Sequence, residues 1–140
     1  MNFITNMFRN AGWIIALMAA TGQAHATSNI ECTGVNSDAG VSILIGAGPV
    51  LNALEASVAL NERYITTYKH QEGEHASIVQ FKANEYEVQL DLMDDQAEEL
   101  LASVRILKFI DKNNDESEPY QIGYMHLNGS QAVGITCEGP

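Results

Sequence analysis

The stretch HQEGEH gathers side chains that are able to bind a metal ion. Its two histidines and two glutamates are His70, Glu72, Glu74 and His75. Imidazole and carboxylate groups are the ligands of many zinc sites. Gly73 interrupts the stretch, however, and the sequence on both sides has the pattern of strands, which places it in a turn. We therefore favour a solvated hairpin loop, and we predict no metal ligands in this chain.

A second candidate is the acidic stretch DKNNDESE, in which Asp111, Asn113 and Asp115 occupy alternate positions. Calcium-binding loops begin in this way, but they have a glycine at the sixth position and a bidentate glutamate at the twelfth. Here those positions hold Glu116 and Ile122. The pattern indicates an acidic surface loop, with weak calcium binding as the alternative.

No arrangement of residues in the sequence is typical of a catalytic site. The serines and threonines lack the Gly-x-Ser-x-Gly elbow of hydrolases. With 18 acidic residues in the chain, two carboxylates in one cleft are expected by chance, so a glycosidase-like pair is not a specific signal. We predict no catalytic residue and no cofactor. We place His126 on the surface of a strand and most tyrosines and phenylalanines in the core.

Residues 1–26 have the pattern of a secretory signal peptide. Arg9 is followed by the apolar run AGWIIALMAA, and small residues, Ala24 and Ala26, occupy the −3 and −1 positions of a cleavage site. The apolar run is far shorter than the roughly 20 residues that cross a bilayer. We predict cleavage after Ala26, export to the periplasm or the extracellular medium, and no membrane span in the mature chain.

The predicted mature chain, residues 27–140, has the length of a single domain. It keeps all 18 acidic residues and loses one basic residue, Arg9, so the net charge changes from −11 to −12. Such a charge repels nucleic acid and favours solubility and cationic partners. We predict a cationic protein as the partner and no binding to nucleic acid.

The two cysteines, Cys32 and Cys137, lie near the two ends of the mature chain. An even number of cysteines in an exported protein indicates pairing, and two cysteines allow one connectivity. Both belong to short runs in which apolar residues alternate with polar ones or glycine, so both are expected on the apolar face of a strand. We predict a disulfide that joins the first strand to the last.

Runs with an alternation of period two predict a series of short strands between the cysteines. The clearest alternating apolar set is Tyr86, Val88, Leu90 and Leu92. Asn128-Gly129 separates the last two runs and predicts a hairpin. Strands spaced roughly every ten residues indicate an all-β fold. We predict an antiparallel sandwich or a small barrel of about seven to nine strands.

Two stretches suit a helix as well as a strand. The run VLNALEASVAL, residues 50–60, has a strand pattern at its even positions, although some of its leucines would also fit a helical turn. In DDQAEELLASVRILKFI, Asp95 followed by Glu98 resembles the start of a helix, whereas Val104–Ile110 is dense in β-forming residues. We predict one short helical turn near residues 95–100 and then a strand to Ile110.

The order of several short segments resembles small exported bacterial domains of unknown function. These segments are Glu31-Cys32, Gly48-Pro49-Val50-Leu51, the run ASVRIL at residues 102–107 and the run VGITCEG at residues 133–139. In plan, the chain is also similar to the periplasmic inhibitors of C-type lysozyme, which are small β-barrels with one cysteine in the first strand and one near the end. The Ser-Gly-x-x-Tyr motif of those inhibitors is absent here, so no site residues are carried over.

These observations together lead to the expectation of an exported, non-catalytic β domain that acts as a protein-binding or inhibitor module with an acidic surface. Two alternatives belong to other classes of protein. One is a secreted hydrolase that uses a carboxylate pair. The other is a structural component of the envelope, which an exposed apolar patch or an unpaired edge strand would favour.

Overall fold

The computed structural model describes residues 27–109 and 120–140. The fold is all-β, as predicted, and has ten strands where about seven to nine were expected. The strands are β1 (Ser28–Gly34), β2 (Ala39–Gly46), β3 (Asn52–Leu60), β4 (Arg63–Thr66), β5 (Glu74–His75), β6 (Ser77–Ala83), β7 (Glu87–Met93), β8 (Leu100–Phe109), β9 (Tyr120–Leu127) and β10 (Val133–Glu138). The predicted signal peptide and the stretch with Asp111, Asn113 and Asp115 lie outside the described residues.

The strands form one sheet in which each strand pairs with its neighbours in sequence, except that β5 and β6 lie at opposite edges. The order across the sheet is β5-β4-β3-β2-β1-β10-β9-β8-β7-β6. The first and last strands are therefore adjacent at the centre, and two consecutive strands form the edges. Because the sheet curls until β3 and β6 approach each other, it makes a nearly closed barrel.

One stretch of chain, residues 74–83, brings the two edges together. Its first part, β5, pairs with β4 in parallel, and its second part, β6, pairs with β7 in the antiparallel sense. Between the two parts, the backbone N–H of Ala76 donates a hydrogen bond of 3.0 Å to the carbonyl of Thr66. Within the described chain, β6 has no hydrogen-bonded strand on its other side. We call the opening between β3 and β6 the seam.

The interior of the barrel is filled by aliphatic side chains from alternate positions of the strands. Those with at most 1% of their surface exposed include Ile30, Ile43, Ile65, Leu90, Ile106, Leu127 and Ile135. In β7, Val88, Leu90 and Leu92 are fully buried, as their alternation predicts. Tyr86, by contrast, lies before the strand and is 64% exposed. Burial of this apolar face is the main force that holds the sheet in its curved form.

The predicted disulfide is present and joins Cys32 to Cys137. The two residues lie directly opposite each other on β1 and β10, and both side chains are buried among the core residues. A disulfide of this kind is compatible with an oxidising, exported compartment.

The two stretches that suited a helix as well as a strand form no helix among the described residues. The first contributes β3, and the second forms a turn followed by β8. Residues 94–99 form a turn in which Oδ1 of Asp94 accepts hydrogen bonds from the backbone N–H groups of Glu98 and Glu99. The expected helical turn is absent because β7 and β8 are paired as far as Met93 and Leu100. The chain must therefore reverse within a few residues, which leaves no room for a helix.

The predicted hairpin at Asn128-Gly129 joins β9 to β10, which are paired in the antiparallel sense. Its turn is closed by a hydrogen bond of 3.0 Å from the N–H of Ser130 to the carbonyl of Leu127. Gly129 has a φ of 81°, a conformation that glycine adopts without the steric cost of a side chain.

Candidate binding surfaces

A row of apolar side chains covers the outer face of β8 and β9, where an isolated barrel would be expected to be polar. We call it the apolar strip, and its members are Leu107, Phe109, Tyr120, Ile122 and Tyr124. Each of the five has between 39 and 60% of its surface exposed. The antiparallel register places Leu107 opposite Ile122 and Phe109 opposite Tyr120, so the strip is continuous across the two strands.

The apolar strip follows from strands that are apolar on both faces. In β9, Gln121, Met125 and Leu127 are buried, whereas Tyr120 and Tyr124 point outward. The prediction that most aromatic residues occupy the core is wrong. The buried apolar residues of the described chain are aliphatic residues, cysteines and Met125, and four of the seven tyrosines and phenylalanines described are exposed. The run YQIGYMHL already indicated this surface, because apolar side chains occur at both its odd and its even positions.

Carboxylates border the apolar strip on both sides. On one side, Glu31 and Glu138 lie opposite each other on β1 and β10, and with Tyr120 they line a depression of about 420 Å³. On the other side, Glu87 lies opposite Leu107. Hydrogen bonds from the Lys82 ammonium and then from Gln89 hold the pKa of Glu87 below its usual value, which keeps this carboxylate ionised at neutral pH.

Two basic side chains near the strip are paired with acids. Arg105 lies opposite Tyr124, and its guanidinium donates hydrogen bonds of 2.7 and 3.0 Å to the two carboxylate oxygens of Asp91. The bond to Asp91 raises the pKa of Arg105 further above its already high value. Lys82 forms an ion pair with Glu87. Glu31 and Glu138 form no ion pair among the described residues, so the charge that their side of the border offers to a partner is negative.

The ion pair between Asp91 and Arg105 is expected to stabilise the folded protein. Asp91→Asn keeps the size of the side chain but leaves Arg105 without its ionic partner. We expect the free energy of unfolding to fall by about 1–2 kcal/mol, the range for a charged hydrogen bond that is partly exposed to water. Urea denaturation followed by circular dichroism measures the change. Glu98→Gln, at an exposed acid, is the matched control. A loss below about 0.5 kcal/mol, the usual effect of a neutral surface substitution, would contradict a stabilising role of the Asp91–Arg105 pair.

A second concave region lies at the seam and has a volume of about 740 Å³. We call it the seam cleft. It is lined by parts of β3 and β6 and by the connections that follow β4 and β7. The chemically active side chains that line it are Glu55, Thr67, Lys69, His70, His75, Ser77 and Asp95.

The structure places the residues of HQEGEH partly as the sequence predicted. The stretch is exposed and contains a turn, and Gly73 has a φ of 144°. It is not a hairpin loop, however, because β4 and β5 pair in parallel. His70 and His75 line the seam cleft together, whereas Glu74 points to Arg63, with which it makes an ion pair of 2.9 Å. Over residues 27–109 and 120–140, no group of three or more histidine, cysteine, aspartate or glutamate side chains is arranged to hold a metal ion.

The seam cleft also holds two carboxylates, Glu55 and Asp95, which is the arrangement that a hydrolase with a carboxylate pair requires. Asp95 is exposed and Glu55 is only half-buried. A general acid in such enzymes is usually enclosed in an apolar environment that keeps it protonated. Neither of the two side chains has that enclosure. His126, which we expected on the surface of a strand, lies half-buried on β9 opposite Ser103.

No family model, no curated protein and no solved structure matches this chain. In the described part of the chain, no helix has the length and the hydropathy needed to cross a membrane.

Proposed function

We propose that the protein is an exported, non-catalytic binding module that docks a cationic protein on the apolar strip and its acidic border. The observation that carries this proposal is the strip itself, five exposed apolar side chains in register on two neighbouring strands. Contiguous exposed apolar surface is uncommon on soluble monomers and usually marks a site of interaction. Three of the five residues are tyrosine or phenylalanine, which are enriched at the centres of protein interfaces.

The charge of the chain supports a cationic partner. The strip is bordered by Glu31, Glu87 and Glu138, and the mature chain carries a predicted net charge of −12, from 18 acids against six lysines and arginines after the loss of Arg9. An apolar centre with a charged border is the common organisation of a protein interface. The border would accelerate association with a basic surface and exclude acidic proteins.

This proposal is tested by crosslinking capture from the exported fraction of the native cell, with three forms of the protein as bait. The wild-type protein is compared with Ile122→Asp, which places a charge in the middle of the strip, and with Val50→Asp. Val50 is 69% exposed and lies outside the strands, so Val50→Asp is the matched control. We expect wild type and control to capture the same protein, with an isoelectric point above about 8, and Ile122→Asp to lose about tenfold or more in affinity.

Salt dependence is the second readout. Raising the ionic strength from about 0.05 to 0.3 M is expected to slow association, because it screens the acidic border, and to leave the apolar contacts in place. The proposal fails if the captured protein is acidic, if Ile122→Asp binds as well as wild type, or if no protein is captured. Circular dichroism of each variant confirms that the fold is unchanged.

A further inference from the structure

The seam cleft differs from the rest of the surface in the charges that it collects. Lys69 lines it together with two imidazole side chains, His70 and His75, in a chain with a large excess of acids. Among the described lysines and arginines, Arg63, Lys82 and Arg105 form ion pairs, and Lys108 donates to the carbonyl of the last residue. Lys69 alone has no such partner within the described residues. Its charge is therefore available to a ligand.

Acidic groups lie in the same cleft. Glu55 comes from β3 and Asp95 from the turn after β7, whereas Lys69 and His70 follow β4. The Glu55 side chain also lies close to Tyr68, whose pKa is raised first by burial and then by the negative charge of Glu55. A ligand in the cleft meets positive and negative side chains that are supplied by different elements of the fold.

The walls of the cleft also offer backbone hydrogen-bonding groups. β3 pairs with β4 only over Ser57–Leu60, so among residues 27–109 and 120–140 its first half, from Asn52 to Glu55, has no strand partner on the side of the seam. β6 has no strand partner on that side either, in the part of the chain that the structure describes. At the edge of a sheet, alternate residues direct their N–H and C=O groups outward, where an extended chain can pair with them.

We propose that the seam cleft binds a short peptide with free termini, of about two to four residues, in an extended conformation. The carboxylate of the peptide lies at Lys69, His70 and His75, its ammonium group lies towards Glu55 and Asp95, and its backbone pairs with the free edge of β6. The volume of about 740 Å³ is within the roughly 300–1,000 Å³ of typical small-ligand sites. This site is separate from the apolar strip and does not depend on the function proposed for the strip.

The test is a titration of the isotope-labelled protein with Ala-Ala-Ala, followed by amide chemical shifts. We expect shifts at residues 53–55, 67–70 and 75–78. The C-terminal amide of the same peptide and its N-acetyl form should each bind about tenfold more weakly, because each lacks one charged group. Lys69→Gln should weaken binding of the free peptide by a similar factor. The C-terminal amide should bind to Lys69→Gln as strongly as it binds to the wild-type protein, because it lacks the carboxylate that Lys69 would contact. Lys82→Gln is the control, since Lys82 lies on β6 but outside the cleft.

Three results would overturn this inference. The first is the absence of shifts at about 10 mM peptide, well above the dissociation constant of a specific small-ligand complex. The second is equal binding of the free peptide and its amide. The third is dimerisation through the edge of β6, which would show as a doubled mass in sedimentation and would mean that a second copy of the chain, not a peptide, occupies the edge.

Discussion

Reduction of the disulfide is expected to lower the free energy of unfolding by about 4–5 kcal/mol. Cys32 and Cys137 are separated by 105 positions, so the bond closes a loop that includes nearly all of residues 27–140. In the chain-entropy model, the stabilisation comes from the conformations that the unfolded chain loses, and it increases with the length of the loop. The value is an upper figure, because residual structure in the unfolded chain reduces it.

The position of the disulfide in the sheet adds a second reason for a large effect. Strands β1 to β5 form one half of the sheet and β6 to β10 the other, and within the described chain the pairing of β1 with β10 is the only backbone ladder between the halves. The disulfide lies in that ladder. Its loss leaves the two halves joined by β-ladder hydrogen bonds, the apolar core and the continuous stretch that forms β5 and β6.

Urea denaturation of the oxidised and reduced wild-type protein measures this difference without a change of side chains. The double variant Cys32→Ala/Cys137→Ala is the control, and its stability should not respond to dithiothreitol. Since small domains are stable by about 5–15 kcal/mol in total, a loss of this size is expected to remove between about a third and nearly all of the protein's stability. A loss below about 1 kcal/mol on reduction would show that the bond does little more than join two ends that the sheet already holds.

Gly123→Ala is expected to destabilise the protein by about 3 kcal/mol or more. Gly123 lies on β9 opposite Ile106, and a Cβ atom added to it would lie 1.9 Å from the carbonyl oxygen of Arg105 on β8. The obstacle is backbone, so no side chain is able to rotate out of the way. The two strands would have to separate, which breaks their hydrogen bonds and disturbs the apolar strip above them.

Gly134→Ala provides a matched control for this substitution. Gly134 lies on the adjacent strand, β10, and the nearest atom to an added Cβ is Cβ of Val35, at 3.9 Å. Neither glycine has a positive φ, so the two substitutions differ in the space available and not in backbone strain. We expect Gly134→Ala to change the free energy of unfolding by less than about 0.5 kcal/mol. Equal effects at both positions, in parallel urea titrations, would contradict the close approach of β8 and β9.

Much of the fold was predictable because it depends on local patterns. Alternation in β7 sets which side chains are buried, and Asn128-Gly129 sets the last hairpin. The helical turn near residues 95–100 was wrong because Asp95 and Glu98 form a plausible local start for a helix, whereas the pairing of β7 with β8 requires a tight turn. Pairing between strands is a tertiary constraint, and it outweighs the weak propensity of a few residues.

The disulfide, the all-β class and the acidic charge follow from the sequence, because cysteine number, periodicity and composition can be counted along one chain. The tertiary structure alone decided where the candidate binding surfaces lie. Register aligns Leu107 with Ile122 to make the apolar strip, and the change of partner at Ala76 leaves the seam cleft, which Lys69 and Glu55 both line. Both surfaces join residues that are distant in sequence, and their contacts depend on how the strands pair and how the sheet curls.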